Sequence, residues 1–452
     1  MKKKIIYVLI FLLIIGISGY VYFSNTFSEE RPEPSKEDRI SKSEREGVEE
    51  NINAYDIEND LQLTQSLHRG ENELMVISPQ EKNKLLEEIG PKRENTILQK
   101  YDSHLPENIT LALQYPYYNI SYDYFLVTGE DGADIIESPD PEAAPVATVG
   151  NLDKLSLLHR VEGKARDGSS IWYRVAVAAE GRVQEGFIHS TDGVPRTFRF
   201  NQMVNAINEL KQEVAEGELH YIINYKNQNG TPPQKGNESV DEYGYRFYHS
   251  APAYEEPGSN EFRYVPDGML VRILDEVEDY YHINIPTFND NYYVPRKYID
   301  PDLTLDQLDH VLVVDDTQQN QAAFELTNDN INLISYTLAT TGQSGDFSFE
   351  TSPGSYKAQE KKERFEYLKK GSQDIAGYAP FATRFSGGAY VHGVPVAYEE
   401  QNGEKIDPGY EEYLHTVGTF PRSSMCVRNF TSHAEFIYDW MDTDNGAVMV
   451  ID

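Results

Sequence analysis

Residues 418–440 read GTFPRSSMCVRNFTSHAEFIYDW and contain Cys426, the only cysteine among 452 residues. A single cysteine permits no internal disulfide. An unpaired cysteine is often a small buried apolar residue, but it can also be a reactive thiol, which a disulfide would inactivate. From the cysteine count alone, a buried apolar residue and a reactive thiol are equally good interpretations of Cys426. Ser432 and Glu435 form a capping-box pattern, so the sequence predicts a helix with Ser432 as N-cap, a few residues after the cysteine.

The composition indicates a folded and strongly acidic protein. Hydrophobic residues make up 39% of the chain, which is enough for packed cores and argues against general disorder. The 74 acidic residues outnumber the 40 basic ones, giving a net charge of −34 that disfavours binding to nucleic acid. Histidines and the cysteine do not cluster at metal-ligand spacing, so we expect neither a metal nor another cofactor.

The N-terminus predicts a membrane anchor in residues 1–23. Residues 5–23 are uncharged and mostly apolar, and a helix of that length, at about 1.5 Å per residue, nearly crosses a hydrocarbon core of about 30 Å. Three lysines precede this segment and place the N-terminus in the cytoplasm. The segment ends in bulky aromatic residues, in the stretch GYVYFSN at 19–25, where a signal-peptide cleavage site needs small ones. We therefore expect a single-pass, uncleaved transmembrane helix in the cell membrane, with the remaining chain outside the cytoplasm.

Residues 24–303 are predicted to form a stalk followed by two small domains. Residues 24–116 contain a charged, proline-containing stalk and a pair of short helices at 79–101. Short alternating strands then predict a small β-barrel at 117–195, in which 172–175 (WYRV) and 186–189 (GFIH) resemble a bacterial SH3-like domain. Residues 196–244 contain a helix and a linker, and residues 245–303 repeat the SH3-like pattern more weakly. Domains of that type bind cell-wall peptide or glycan or act as spacers, and both roles remain open.

The helix predicted at 197–217 is amphipathic. Met203, Ile207, Leu210 and Val214 recur at helical spacing, and Gly217 is a suitable end. A stripe of this kind usually packs against a core, so we assign it no chemistry.

Residues 306–452 contain five short motifs in a characteristic order. They are 314–319 (VDDTQQ), 339–342 (ATTG), 351–354 (TSPG), 392–393 (HG) and 423–429 (SSMCVRN). This order resembles the L,D-transpeptidase catalytic domain of the YkuD-like family. The resemblance implies a β-sandwich-like catalytic domain and a chain that is mainly β with some α.

The resemblance also implies a role for each motif residue. Cys426 corresponds to the nucleophile, which attacks a peptide carbonyl and forms a thioester, and His392 to the general base. Backbone N–H groups at Met425 and Cys426 would face the oxyanion of the tetrahedral intermediate. The remaining residues implied to shape the substrate and oxyanion site are Gly393, Ser423, Ser424 and Arg428. Gly393 would orient the imidazole, and Arg428 would hold a substrate carboxylate or form an ion pair within this acidic domain.

The sequence departs from the family pattern beside the nucleophile. Ser424 stands where the family has a second histidine, and Met425 stands where it has a glycine. The segment between the HG motif and the cysteine is longer than usual, and its acidic, aromatic insertion is expected to form a lid. His415 in that insertion or His433 on the terminal helix would be able to supply the second imidazole, although each is more readily explained as an ordinary surface or core histidine.

The function implied by the resemblance is a cysteine acyltransferase that acts on peptidoglycan stem peptides and makes 3–3 cross-links. An L,D-carboxypeptidase or D-amino-acid exchange would use the same site with a different acceptor. A non-catalytic scaffold that binds the cell wall is the rival from another class, favoured by the two departures and by the SH3-like pattern. A sortase-like transferase suits the motif order less well.

Overall fold

The computed structural model describes residues 76–89, 96–117, 120–179, 182–236, 238–327, 330–345, 348–368, 374–409 and 416–452, all within one unit of the chain, 49–452. The predicted anchor at 1–23 and residues 24–75, which include the whole predicted stalk, lie outside these residues. None of the helices within the described ranges is long and apolar enough to span a membrane.

The described residues contain three α-helices, which are α1 (Pro79–Ile89), α2 (Phe200–Glu216) and α3 (Thr431–Trp440). The amphipathic prediction is confirmed for α2, because Met203, Ile207 and Leu210 are buried along it and Gly217 follows its last residue. The second helix predicted at 79–101 is wrong, because residues 97–100 form a strand. Pairing with a long neighbouring strand outweighs the local helical preference there.

The predicted N-cap of α3, Ser432, is also wrong by two residues. The helix begins at Thr431, and the fully buried Phe430 occupies the N-cap position. The Ser432 hydroxyl forms a hydrogen bond of 2.7 Å with the Tyr115 hydroxyl instead of capping the helix. Burial of Phe430 therefore decides where α3 begins.

Eight strands within residues 97–197 form an antiparallel sheet. The strands of this segment, in chain order, are β1 (Ile97–Lys100), β2 (Ile109–Leu111), β3 (Asp123–Val127), β4 (Ala133–Ile136), β5 (Pro145–Val149), β6 (Lys154–Arg166), β7 (Ser169–Ala179), β8 (Arg182–His189) and β9 (Gly193–Thr197). The strand order is β5-β4-β8-β7-β6-β3-β9, with β1 also paired to β6, while β2 joins another sheet. Phe125, Leu157 and Val175 are among the residues of its core.

Residues 219–305 form a second antiparallel sheet, here called the middle sheet. Its strands are β10 (Leu219–Ile222), β11 (Ser250–Tyr254), β12 (Phe262–Pro266), β13 (Leu270–Val277), β14 (Tyr280–Ile285), β15 (Asp290–Pro295) and β16 (Ile299–Leu305). Their order is β12-β11-β15-β14-β13-β10-β16.

The prediction of two closed SH3-like barrels is not confirmed, because within the described residues both sheets are open paths of strands. Each strand at an end of these two strand orders carries a proline, which has no N–H to donate to a further strand. These prolines are Pro145 in β5, Pro195 in β9, Pro266 in β12 and Pro301 in β16.

Two sheets form the C-terminal part. Their region contains β17 (His310–Asp315), β18 (Asn320–Leu326), β19 (Ile331–Leu338), β20 (Gly354–Lys357), β21 (Lys361–Leu368), β22 (Ile375–Ser386), β23 (Ala389–His392), β24 (Val396–Ala397), β25 (Glu399–Gln401), β26 (Glu404–Ile406), β27 (Val427–Arg428) and β28 (Gly446–Ile451). One sheet has the order β2-β19-β18-β17-β28-β20. The other has the order β21-β22-β23-β27, with β24 paired to β22, and β25 and β26 form a separate hairpin.

The middle sheet and the C-terminal part share one hydrophobic core. Val271 of the middle sheet belongs to the same buried cluster as Val314, Val391 and Val427 of the C-terminal strands. A single bridge between Met269 and Tyr356 also joins the two backbones. Elements that the sequence suggested were separate domains therefore pack directly against each other beside the candidate site.

Candidate active site

Two short parallel strands bring the predicted nucleophile and base to one face of a sheet. In β23 and β27, Val391 pairs with Val427, and His392 pairs with Arg428. Side chains alternate along a strand, so Cys426, which directly precedes β27, lies on the same face as Arg428 and His392. Cys426 and His392 are offset by two residues, or about 6.6 Å, along the strand direction. Val391 and Val427 project from the opposite face into the shared core.

The Cys426 thiol is fully buried. It donates a hydrogen bond of 3.6 Å to the carbonyl oxygen of Gly388, in the turn between β22 and β23. Around it pack Ala382 and Tyr390, and the Tyr390 ring stacks on Phe365 with centroids 4.3 Å apart. The thiol is therefore oriented by a backbone carbonyl and enclosed by aromatic side chains.

The His392 imidazole is buried and fixed by a backbone contact. Its Nδ1 lies 2.6 Å from the carbonyl oxygen of Gly393, so Nδ1–H donates there and Nε2 is the basic nitrogen. Burial lowers the pKa of His392 to about 4, which keeps the ring neutral at pH 7, as a general base requires. A Cβ at Gly393 would lie 2.9 Å from Pro380 Cγ and 3.1 Å from Thr431 Cα, so any other residue would force these neighbours to shift.

The residue before the thiol has a left-handed backbone. Met425 has φ of 58°, a region that L-residues other than glycine adopt at a cost. Its N–H donates to the Phe349 carbonyl at 2.7 Å, and the Cys426 N–H donates to the Ser424 carbonyl at 2.8 Å. Both N–H groups predicted to face an oxyanion are thus engaged, and that role requires them to exchange a protein carbonyl for the substrate oxygen.

The ATTG and TSPG motifs hold this loop from the other side. The Thr351 hydroxyl accepts a hydrogen bond from the Gly342 N–H at 2.7 Å and donates one to the Met425 carbonyl at 3.1 Å. A Cβ at Gly342 would lie 2.5 Å from the Met425 nitrogen, so glycine is required for the close approach. Gln319 of the first motif donates to the Thr341 hydroxyl at 2.6 Å. The motifs are therefore distant in sequence but contiguous around the loop that carries Cys426.

The three remaining predicted site residues are all buried. The Ser423 hydroxyl donates to the Cys426 carbonyl, which fixes the turn. The Ser424 hydroxyl has no hydrogen-bond partner within the described part of the chain. The Arg428 backbone pairs with Thr340 through hydrogen bonds of 2.8 and 2.9 Å, and its side chain lies on the face that carries the thiol.

Neither candidate for the second imidazole is brought to the thiol by the described structure. His433 is buried between Asn429, Gln321 and Ser335, which contact its two ring nitrogens at 3.1–3.2 Å. Burial lowers its pKa to about 3, so it is a neutral core histidine. His415 lies outside the described residues.

Sequence reasoning missed the contribution of the middle sheet to this site. Arg246 precedes β11, and Asp267 follows β12. The Arg246 guanidinium lies 2.7 Å from Met425 Sδ, and Asp267 accepts a hydrogen bond of 3.1 Å from the Gly387 N–H in the turn beside the thiol. Both are single charged residues in loops with no local motif, so no pattern in the sequence marks them.

Residues 309–451 match the YkuD family, described as the L,D-transpeptidase catalytic domain. The resemblance indicated by the five motifs is therefore confirmed for this part of the chain. A comparison with curated proteins gives no match.

Solved structures of low overall similarity include two L,D-transpeptidases from Mycobacterium tuberculosis. L,D-transpeptidase 1 is 16% identical with a TM-score of 0.22, and the match covers 36% of this chain and 78% of that one. L,D-transpeptidase 3 is 15% identical with a TM-score of 0.24, covering 36% and 75%. A fused Zn-dependent amidase/peptidase/peptidoglycan-binding protein from Clostridium acetobutylicum is 17% identical with a TM-score of 0.22. That match covers 31% of this chain and 51%, about half, of the clostridial one.

Proposed function

We propose that the C-terminal part is a peptidoglycan L,D-transpeptidase that forms 3–3 cross-links through a thioester at Cys426. The observation that carries this proposal is the placement of Cys426 and a neutral, oriented His392 on one face of two paired strands. Both residues lie inside the segment that matches the catalytic-domain family. The match identifies the class of domain, and the strand geometry supports the roles of its two residues.

The proposed reaction has two half-reactions. The Cys426 thiol transfers its proton to His392 Nε2, and the sulfur attacks the carbonyl carbon of the third residue of a tetrapeptide stem. The C–N bond to the terminal D-alanine breaks, and this amine leaves with the proton held by His392, so a thioester remains. An amine of a neighbouring stem then attacks the thioester, the C–S bond breaks, and the proton from that amine returns the thiol.

Substrate entry must uncover the nucleophile, because Cys426 is 0% exposed. Arg428 is proposed to hold a substrate carboxylate, since its side chain lies on the face of the strand pair that carries the thiol. Water as the acceptor would make the enzyme an L,D-carboxypeptidase, and a free D-amino acid would make it an exchange enzyme.

We also propose that residues 1–23 anchor the protein in the cell membrane. Their support is the uncharged segment 5–23 and the lysines before it. Residues 24–116 would then begin the connection that lets the catalytic domain reach the cell wall.

The test is incubation of the full chain, purified with detergent, with purified disaccharide-tetrapeptides, followed by mass spectrometry of the products. A 3–3 cross-linked dimer with release of D-alanine is expected, together with a carbapenem adduct in the intact mass. Cys426→Ala must abolish both while leaving the thermal unfolding transition in place. Tripeptide alone would indicate a carboxypeptidase. A folded wild-type protein with neither product nor adduct would contradict the proposal and favour a wall-binding scaffold.

A further inference from the structure

Arg246 of the loop before β11 reaches into the nucleophile loop of the C-terminal part. The residue is 3% exposed. Its Nη1 lies 2.7 Å from Met425 Sδ, its Nη2 donates to the Ser386 carbonyl at 3.2 Å, and its Nε donates to the Tyr248 carbonyl at 3.0 Å. One buried guanidinium therefore links the middle sheet to the residue directly before Cys426.

Met425 needs compensating contacts to keep its backbone conformation. A left-handed backbone costs a residue other than glycine on the order of 1–2 kcal/mol. The Met425 side chain is 3% exposed, belongs to the shared core and contacts Arg246. The methionine that replaces the family's glycine thus supplies a side chain by which the middle sheet fixes the loop.

Arg246 also contacts the turn that accepts the thiol. Gly387 packs so closely that a Cβ there would collide with Arg246 Nη2 and would lie 2.8 Å from His249 Cβ. The next residue, Gly388, is the one whose carbonyl accepts the Cys426 thiol. The same guanidinium is therefore packed against both sides of the nucleophile, through the loop before it and through the turn opposite it.

We propose that Arg246 is a positioning residue of the active site, which holds Met425 and residues 386–388 so that Cys426 is presented correctly. The middle sheet is then a structural part of the catalytic site and not a spacer. Further contacts have the same effect, because the Tyr245 hydroxyl donates to the Pro353 carbonyl at 3.0 Å and thereby holds the TSPG loop. The catalytic consequence rests on the proposed function, whereas the positioning of the thiol does not.

The test compares Arg246→Met and Arg246→Lys with wild type in the full chain. Arg272→Met is the matched control, because Arg272 lies in the same sheet and pairs with Glu213 at 2.8 Å, on helix α2. Acylation of Cys426 by a carbapenem and alkylation by iodoacetamide are both followed by intact mass, beside thermal unfolding. The carbapenem data separate the limiting rate from the half-saturating concentration.

We expect Arg246→Met to slow the limiting acylation rate by about 10-fold or more, since small misplacements of reacting groups are costly. Alkylation should accelerate by about 10-fold, because a buried thiol reacts through local opening that this contact restrains. Arg246→Lys should be intermediate, and Arg272→Met should change neither rate beyond its effect on thermal unfolding. Met425→Leu keeps the side-chain bulk but removes the sulfur, so Arg246→Met should have a smaller effect in that background.

Wild-type rates in Arg246→Met, or rates that match those of Arg272→Met, would refute the positioning role. If Arg246→Met does not fold, unchanged rates in Arg246→Lys and Met425→Leu would refute it equally. A wild-type protein that alkylates but never acylates would contradict the proposed function, and the alkylation ratios would still decide the role of Arg246.

Discussion

The buried carboxylate of Asp267 connects the middle sheet to the turn between β22 and β23. This residue is 1% exposed. Its Oδ1 accepts a hydrogen bond from the Asn224 N–H at 2.7 Å, and its Oδ2 accepts from Arg384 Nη1 at 2.6 Å and the Gly387 N–H at 3.1 Å. In Asp267→Asn, one of these donors would face an NH₂ group, and Arg384 would keep only Glu360, which is 43% exposed and lies 3.5 Å away, as a counter-charge. Removing one partner of a buried ion pair costs about 3–5 kcal/mol, so we expect a loss of that size in the free energy of unfolding.

Urea unfolding at neutral pH, followed by tryptophan fluorescence and circular dichroism, measures this loss. Glu276→Gln is the control, because Glu276 pairs with Arg296 at 2.5 Å on the same sheet but both side chains are exposed, at 59% and 40%. An exposed pair contributes about 1 kcal/mol or less, and 1 M salt should reduce that contribution. This carboxylate does not hold the middle sheet to the turn between β22 and β23 if the free energy of unfolding of Asp267→Asn lies within about 1 kcal/mol of the wild-type value. The same conclusion follows if Asp267→Asn is no less stable than Glu276→Gln.

Three further predictions follow from the site. Gly342→Ala should abolish acylation by a carbapenem, measured by intact mass, because its Cβ would lie 2.5 Å from the Met425 backbone nitrogen. The control Gly345→Ala, whose Cβ would meet only a serine hydroxyl at 3.0 Å, should acylate normally. Thr351→Val keeps the shape but loses both hydrogen bonds of a buried hydroxyl, so unfolding in urea should show a loss of about 1–3 kcal/mol, and a loss below 0.5 kcal/mol would contradict its bridging role. Burial lowers the pKa of His392 to about 4 and that of His433 to about 3. The unfolded chain therefore binds more protons below pH 6.5, and the melting temperature should fall as the pH drops from 6.5 towards 4. His433→Asn should weaken that pH dependence.

The parts of the molecule predicted correctly from the sequence are those encoded by local patterns. The α2 stripe of Met203, Ile207 and Leu210 repeats at helical spacing, and such a stripe has to be buried. The motifs around Cys426 were recognisable because each needs a special residue type, such as Gly342 at a close backbone approach. Both kinds of signal survive in a single sequence because the physical requirement falls on neighbouring residues.

The parts predicted wrongly depend on contacts between distant segments. The strand Ile97–Lys100 forms because β6 offers a pairing partner more than fifty positions away, with Ile97 opposite Val161. Arg246 and Asp267 become site residues only when the middle sheet packs on the turn after β22. The start of α3 was shifted because Phe430 is buried, which the capping-box pattern does not register.

The left-handed backbone of Met425, directly before Cys426, has a consequence for how the C-terminal part is stabilised. A glycine at this position would leave the left-handed turn before the cysteine almost free of strain, and the turn would need no support from the middle sheet. With Met425 the turn costs on the order of 1–2 kcal/mol, and the side chain that causes the cost is buried against Arg246 from the middle sheet. The strained residue thus lies in the C-terminal part, and the residue that contacts its side chain precedes a strand of the middle sheet. A change on either side is therefore transmitted to Cys426, although Arg246 and Asp267 lie more than 150 positions before it in the chain.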